Sequence, residues 1–205
     1  MKSNFIKILL FFTCLALSCR NDKKPAQTSV KDNERQYYNA IIGWHIDIPQ
    51  GYKQTHENSL KLNDENGKNA VKQNYNTEVN TDSIMHLLSF QRNQFNLFDS
   101  TIKKFDVKRD GDYLKNNAAT QKMLYDIYAA QKIRIDTSSF TQKISDVPFQ
   151  VFNIKIYGPN GSVVMQQQMY AALIKGYDLG INISFNNEAD KDVLLNALKA
   201  STFEK

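Results

Sequence analysis

Hydrophobic and polar positions alternate most regularly between Val147 and Phe203, where the pattern predicts strand, turn, strand, turn, strand, helix and a short apolar tail. Pro148 to Tyr157 is rich in β-branched and aromatic residues and runs into the turn formers Gly158-Pro159-Asn160-Gly161, a hairpin signal. Ser162 to Lys175 carries apolar residues on both faces, Val163, Met165, Met169, Ala171 and Leu173 on one, Val164, Tyr170, Ala172 and Ile174 on the other. That predicts a central strand covered on two sides. After Gly176, Tyr177, Leu179, Ile181, Ile183 and Phe185 alternate with Asp178, Gly180, Asn182 and Ser184, the period of a strand with one buried face. A one-residue slip would expose all its apolar side chains, so the register is well specified. Asn186 or Asn187 is placed to cap a helix, Glu188 and Asp190 suit its positive end, and Val193, Leu194, Ala197 and Leu198 form its apolar stripe. Phe203 follows as a plug.

Upstream the pattern is weaker. Trp44, Ile46 and Ile48 share one face of a first strand, with His45 and Asp47 on the other. Lys53 to Ser83 is Asn-rich and weakly periodic, with room for a short strand at Ser59 to Leu62 and a turn at Asp64-Glu65-Asn66-Gly67. Ile84 to Gln91 and Asn96 to Val107 read as strands. Asn116 to Lys132 reads as a helix whose stripe is Ala119, Met123, Ile127 and Ala130, with Leu124 and Tyr128 beside it, and Ile133 to Ser145 returns as a strand.

Before all of this, Lys2, Lys7 and the apolar run Ile6 to Leu17 have the form of a signal peptide over residues 1–18, too short to span a bilayer. Leu15-Ala16-Leu17-Ser18-Cys19 resembles a bacterial lipobox. The resemblance implies that Cys19 is the lipid-attachment residue, thioether-linked to diacylglycerol and N-acylated, as in a palmitate-bearing lipoprotein. The alternative is an ordinary secretory signal in which Cys19 is incidental. With Cys14 inside the signal and Cys19 lipidated, the mature chain has no thiol left for disulfides, thiol catalysis or cysteine-based zinc sites. Residues 19–36 are polar and charged and read as a flexible tether reaching roughly 20 to 25 Å. Residues 37–205 then form one domain.

Charge and candidate chemistry narrow the function classes. The formal charge is +5, or +3 once Lys2 and Lys7 leave with the signal, and the basic residues are interspersed with acidic ones. That pattern lacks the basic stripe with stacking aromatics that nucleic-acid binding needs. His45, His56 and His86 are too far apart in sequence for a helical metal pair, and each reads as a surface or strand-face histidine. His45 and Asp47 share a strand face, as exposed polar pairs ordinarily do. The segments ending in Gly67 and Gly111 fail the EF-hand pattern at ligand positions and read as turns. Asp110 with Asp112, and Asp190 with Asp192, read as loop and helix-start carboxylates. No nucleophile elbow, phosphate loop or dinucleotide fingerprint is present, so no catalytic residue, no cofactor-binding residue and no metal ligand is assigned.

The order of a Pro148-Phe149 strand, turn, long strand, Lys175-Gly176-Tyr177 turn, amphipathic strand, Asp-containing helix and Ser201-Thr202-Phe203 resembles the C-terminal half of the PsbP-like fold. Trp44 to Tyr52, ending in Pro49-Gln50-Gly51-Tyr52, looks like that group's first strand. The resemblance implies an α+β fold, an antiparallel β-sheet with helices packed on it as an α/β/α sandwich. It does not imply a chemistry, because one fold hosts many functions. The expected function is a membrane-anchored envelope lipoprotein, a non-catalytic protein-binding or structural module with an envelope protein partner and no nucleic acid. The alternative is a small-ligand carrier or an envelope enzyme with an unfamiliar site, whose mark would be a deep pocket with convergent polar groups or carboxylates of shifted pKa. Docking would instead expose an apolar sheet face, either that of Phe149, Val151 and Tyr157 or that of Phe152, Ile154 and Ile156.

Overall fold

The computed structural model describes residues 35–76 and 83–204. The signal segment, Cys19 and nearly all of the expected tether lie outside the described residues. Among the described residues, the Arg35 carbonyl accepts from the Ile48 N–H at 2.6 Å, and Gln36 opens the first strand.

In chain order the elements are β1 (Gln36–Asn39), β2 (Trp44–Asp47), β3 (Lys53–Gln54), helix α1 (Glu57–Tyr75), β4 (Ile84–Asn93), β5 (Asn96–Lys104), the short helix α2 (Val107–Asp110), helix α3 (Tyr113–Ala130), β6 (Ile135–Ile144), β7 (Val147–Tyr157), β8 (Val163–Ile174), β9 (Tyr177–Phe185), helix α4 (Glu188–Ala200) and β10 (Thr202–Phe203). Seven strands form an antiparallel sheet in the order β3-β4-β5-β9-β8-β7-β6, and β1-β2-β10 form a small second sheet. The expected α+β class and the helices packed on an antiparallel sheet are therefore present.

Local chemistry sets the hairpins. The β6–β7 turn places Ser145 and Asp146 at φ of 47° and 67°, and the β8–β9 turn places Lys175 and Gly176 at 49° and 79°. Two positive φ values in a two-residue turn match the twist of the flanking strands. The expected apolar tail is more than a plug: Phe203 pairs with Trp44 as β10, and their rings stack with centroids 6.1 Å apart.

The main core lies between one face of the large sheet, helix α4 and the small sheet. Trp44, Phe90, Phe98, Phe149, Leu179, Ile183, Leu194 and Leu198 are fully buried there. Asn187 is the N-cap of α4, accepting from the Asp190 N–H at 2.9 Å. The buried stripe of α4 is Asp190, Leu194, Leu195 and Leu198; Val193 packs against the core as expected, Ala197 is half-buried, and Leu195 adds to the expected stripe.

Three expectations need correction. Glu57 to Tyr75 is one helix, where a short strand and a turn were expected. Its half-buried positions include Leu60, Asp64, Lys68, Val71 and Asn74, a helical spacing carried largely by polar residues. Such a helix has little hydrophobic signal to read. Helix α3 spans Tyr113–Ala130 where Asn116 to Lys132 was expected; Met123, Leu124, Ile127 and Tyr128 are half-buried as expected, but Ala119 and Ala130 are exposed, and Tyr113, Asn117 and Gln121 join the inward face. Neither sheet face named for docking is open, since Phe149 and Val151 lie in the main core and Phe152, Ile154 and Ile156 are buried beneath α3.

Candidate functional site

The second face of the large sheet is built from the residues that alternate out of the main core. On β9 these are Asp178, Gly180, Asn182 and Ser184; across the ladders they meet Lys103, Thr101, Asp99 and Leu97 of β5 and Leu173, Ala171, Met169 and Gln167 of β8. Period 2 thus brings a polar group together at the sheet's centre. Toward β6 the same face turns apolar: Phe152, Ile154 and Ile156 pack with Leu124, Tyr128, Ile133, Ile135, Met165 and Met169.

Helix α3 lies over this face and is tied to it by polar contacts. The Tyr113 hydroxyl donates to Asp178 Oδ1 at 3.1 Å, Ser139 Oγ donates to Gln121 Oε1 at 2.8 Å, and the Tyr128 hydroxyl donates to Gln167 Oε1 at 3.0 Å. Asp112 caps its N-terminus by accepting from the Lys115 N–H. No residue of α3 is itself buried. Beneath its first half is a cavity of about 330 Å³.

The cavity owes its space to small residues. Ala171 and Gly180 are cross-strand partners on its floor, and a Cβ added at Gly180 would come only as near as 3.4 Å to Thr101 Oγ1. Asp99, Thr101, Asp178, Asn182, Gln150 and the α3 residues Tyr113, Asn117 and Gln121 supply polar walls. Leu124, Phe152 and Met169 close the apolar end. No Lys or Arg is among the lining residues.

Its electrostatics follow from burial. Burial pushes the Asp178 carboxyl above its ordinary value, opposed by the Tyr113 hydrogen bond and by the more distant charge of Lys103. Burial likewise raises the Tyr113 phenol, reinforced by Asp178. Asp99 has a different environment: its Oδ1 stands 3.7 Å from His86 Nδ1, while His86 Nε2 meets Asp64 Oδ2 of α1 at 2.9 Å. Asp99, with Asp64 adding to it, outweighs burial and pushes the His86 pKa up to about 9. Asp99 and Asn182 each keep a buried oxygen without a hydrogen bond. In a protein interior such groups ordinarily find a partner.

Among the sequence candidates, His86 is a strand-face histidine on β4, as expected, and it also ties α1 to the sheet through Asp64. His45 is exposed, stacks on Tyr38 at 4.2 Å and meets Glu204 at 3.0 Å; the carboxylate it contacts is Glu204 and not Asp47. His56 precedes α1 at its N-cap without a side-chain cap bond. Asp106 caps α2, and Asp110 pairs with Arg109. Asp64 to Gly67 lie within α1, so no turn forms there. Asp190 is more than a helix-start carboxylate, being buried and accepting from Tyr52 Oη at 2.6 Å, Asn187 Nδ2 at 2.8 Å and Arg92 Nη1 at 2.8 Å. The cavity residues Asp178, Gly180 and Asn182 were visible only as the polar positions of a strand. No three His, Cys, Asp or Glu side chains among the described residues are grouped to hold a metal ion, and no described helix is long and apolar enough to cross a membrane.

Compared with known proteins, the fold is similar to that of the cyanobacterial PsbP protein CyanoP from Synechocystis, whose solution structure aligns with a TM-score of 0.54 at 9% identity, covering 88% of this chain and 98% of that one. The chain therefore has a PsbP-like fold, in agreement with the resemblance read from its sequence. No protein-family model and no curated protein matches the chain.

Proposed function

We propose that this chain is a lipid-anchored envelope protein whose PsbP-like domain captures a small ligand in the cavity beneath α3. The observation that carries the reading is the cavity itself: about 330 Å³, walled by convergent polar groups and closed at one end by apolar side chains. That volume lies at the small end of the range for ligand sites. A rigid sheet forms the floor, and a helix with no buried residue forms the roof, so the roof is the part able to move. The docking alternative has less to rest on, because both sheet faces that could have offered an apolar surface are covered. The anchor rests on Lys2, Lys7, the apolar run to Leu17 and Cys19.

The test is native mass spectrometry of the full lipoprotein, extracted from its membranes in mild detergent, beside a Gly180→Val variant. Valine suits a strand, and its methyl groups would occupy the cavity floor. A small molecule carried by the natural protein and absent from the variant is the expected result. A protein that carries nothing, even after incubation with a cell extract, or a bound mass indifferent to Gly180→Val, would overturn the reading.

A further inference from the structure

We propose that the cavity selects a small organic cation, an amine with a short apolar body. The inference rests on the ligand reading above and names the class of ligand. Two carboxylates line the cavity, Asp99 and Asp178, and no Lys or Arg does. They are not equivalent. Asp99 has the imidazole of His86 behind it, pointing away toward Asp64 and α1. Asp178 makes no ion pair among the described residues and accepts a hydrogen bond from the Tyr113 hydroxyl at 3.1 Å.

A half-buried carboxylate whose nearest cation, Lys103, acts on it without forming an ion pair is poorly compensated, and a cation that arrives to pair with it recovers part of that cost. The same wall disfavours an anion, which would meet two carboxylates and no basic group. The apolar end sets the rest of the ligand. Leu124, Phe152 and Met169 offer hydrocarbon contact beyond the polar floor, and the volume limits the body to a short chain or a single ring. The ammonium would sit beside Asp178, with the hydroxyl oxygen of Thr101, one pair further along the β5–β9 ladder on the same face, accepting another of its hydrogens.

The test uses three probes of one shape, n-pentylamine, 1-pentanol and pentanoate, with the detergent-solubilised full lipoprotein, read by ligand-observed NMR, which detects weak binding. The natural protein is expected to prefer the amine over both others by at least tenfold. Asp178→Asn keeps the shape and an acceptor for Tyr113 while removing the charge, and it should reduce the amine to the level of the alcohol. Asp99→Asn should cost the amine less, because His86 already offsets that carboxylate. Gly180→Val should abolish binding of all three. Equal or tighter binding of pentanol or pentanoate, lost in Gly180→Val, would overturn the cation class and leave the cavity reading standing. An amine preference unchanged by Asp178→Asn would overturn the assigned counter-charge and the proposal with it. If none of the probes binds and native mass spectrometry finds the cavity without a guest, both the class and the ligand reading fall.

Discussion

The two faces of the seven-stranded sheet are covered by helices of opposite character. On the face under α4, aromatic and aliphatic side chains are fully buried, with Phe90 and Phe98 stacked at 4.7 Å, and the buried Asp190 has three donors. On the face under α1 and α3 neither helix has the same apolar anchoring, buried oxygens of Asp99 and Asn182 lack hydrogen bonds, and a cavity remains. One face buries aromatic and aliphatic side chains and supplies stability; the other keeps a polar cavity that a ligand could complete. Keeping the two roles on opposite faces lets a polar cavity persist on a stable support.

That contrast can be broken most severely on the packed side. Phe98→Ala should destabilise the fold by about 3 to 5 kcal/mol, because a fully buried ring leaves a cavity as well as losing its transfer energy. Denaturant titration would measure it, and a loss below about 1 kcal/mol would mean the two faces are not so different. Next is the buried carboxylate. Burial opposes the charge at Asp190, but the donors from Tyr52, Asn187 and Arg92 prevail and hold it below its ordinary value. Its stabilising effect is therefore present above about pH 4 and lost as pH falls through the lowered native value. Asp190→Ala should cost about 2 to 4 kcal/mol at neutral pH and remove part of the acid-side slope of stability.

The cavity side should respond more gently. His86 has its pKa raised from 6.5 to about 9, so its stabilising contribution is fully present below about pH 6.5 and fades as pH rises through about 9. His86→Gln should flatten the stability profile between about pH 7 and pH 10 by on the order of 2 kcal/mol. Amide exchange should show the change first in α1, which this histidine ties to the sheet through Asp64. A variant whose alkaline slope matches the natural protein's would remove His86 as the clamp. Smallest of all, Asp178→Asn should leave the melting temperature unchanged or raise it slightly, since it removes a half-buried charge that Lys103 and Tyr113 offset only in part. A clear loss of stability would show that Asp178 is a structural anchor for Tyr113 and not a waiting counter-charge.

Much of the packed face was legible beforehand. Tyr177, Leu179, Ile181, Ile183 and Phe185 all face the side their alternation assigns them, and Trp44, Ile46 and Ile48 are buried together as expected. The Asn187 cap and the Ser145-Asp146 and Lys175-Gly176 turns sit at the boundaries the pattern marked. Helix α1 was not legible, because Asp64, Lys68 and Asn74 occupy inward positions where a hydrophobic stripe would announce a helix. The inward face of α3 was legible in its second half, at Leu124 and Tyr128, and missed in its first, where Asn117 and Gln121 point toward the sheet while Ala119 faces out. Hydrophobic periodicity finds helices that bury apolar stripes, and both of these helices turn polar residues inward.

The linear order of residues by itself determined the strand faces, their register, the hairpin turns and the cap of α4, because alternation, positive-φ turns and N-capping act over a few neighbouring residues. Only the tertiary structure decided that the polar face of β9 is roofed by α3 and not open to solvent, that Ala171 and Gly180 leave space beneath it, and that His86 reaches Asp64 on a separate helix. Those outcomes depend on which distant elements come to lie over a given face, and an alternating pattern records the polarity of a position without recording what covers it.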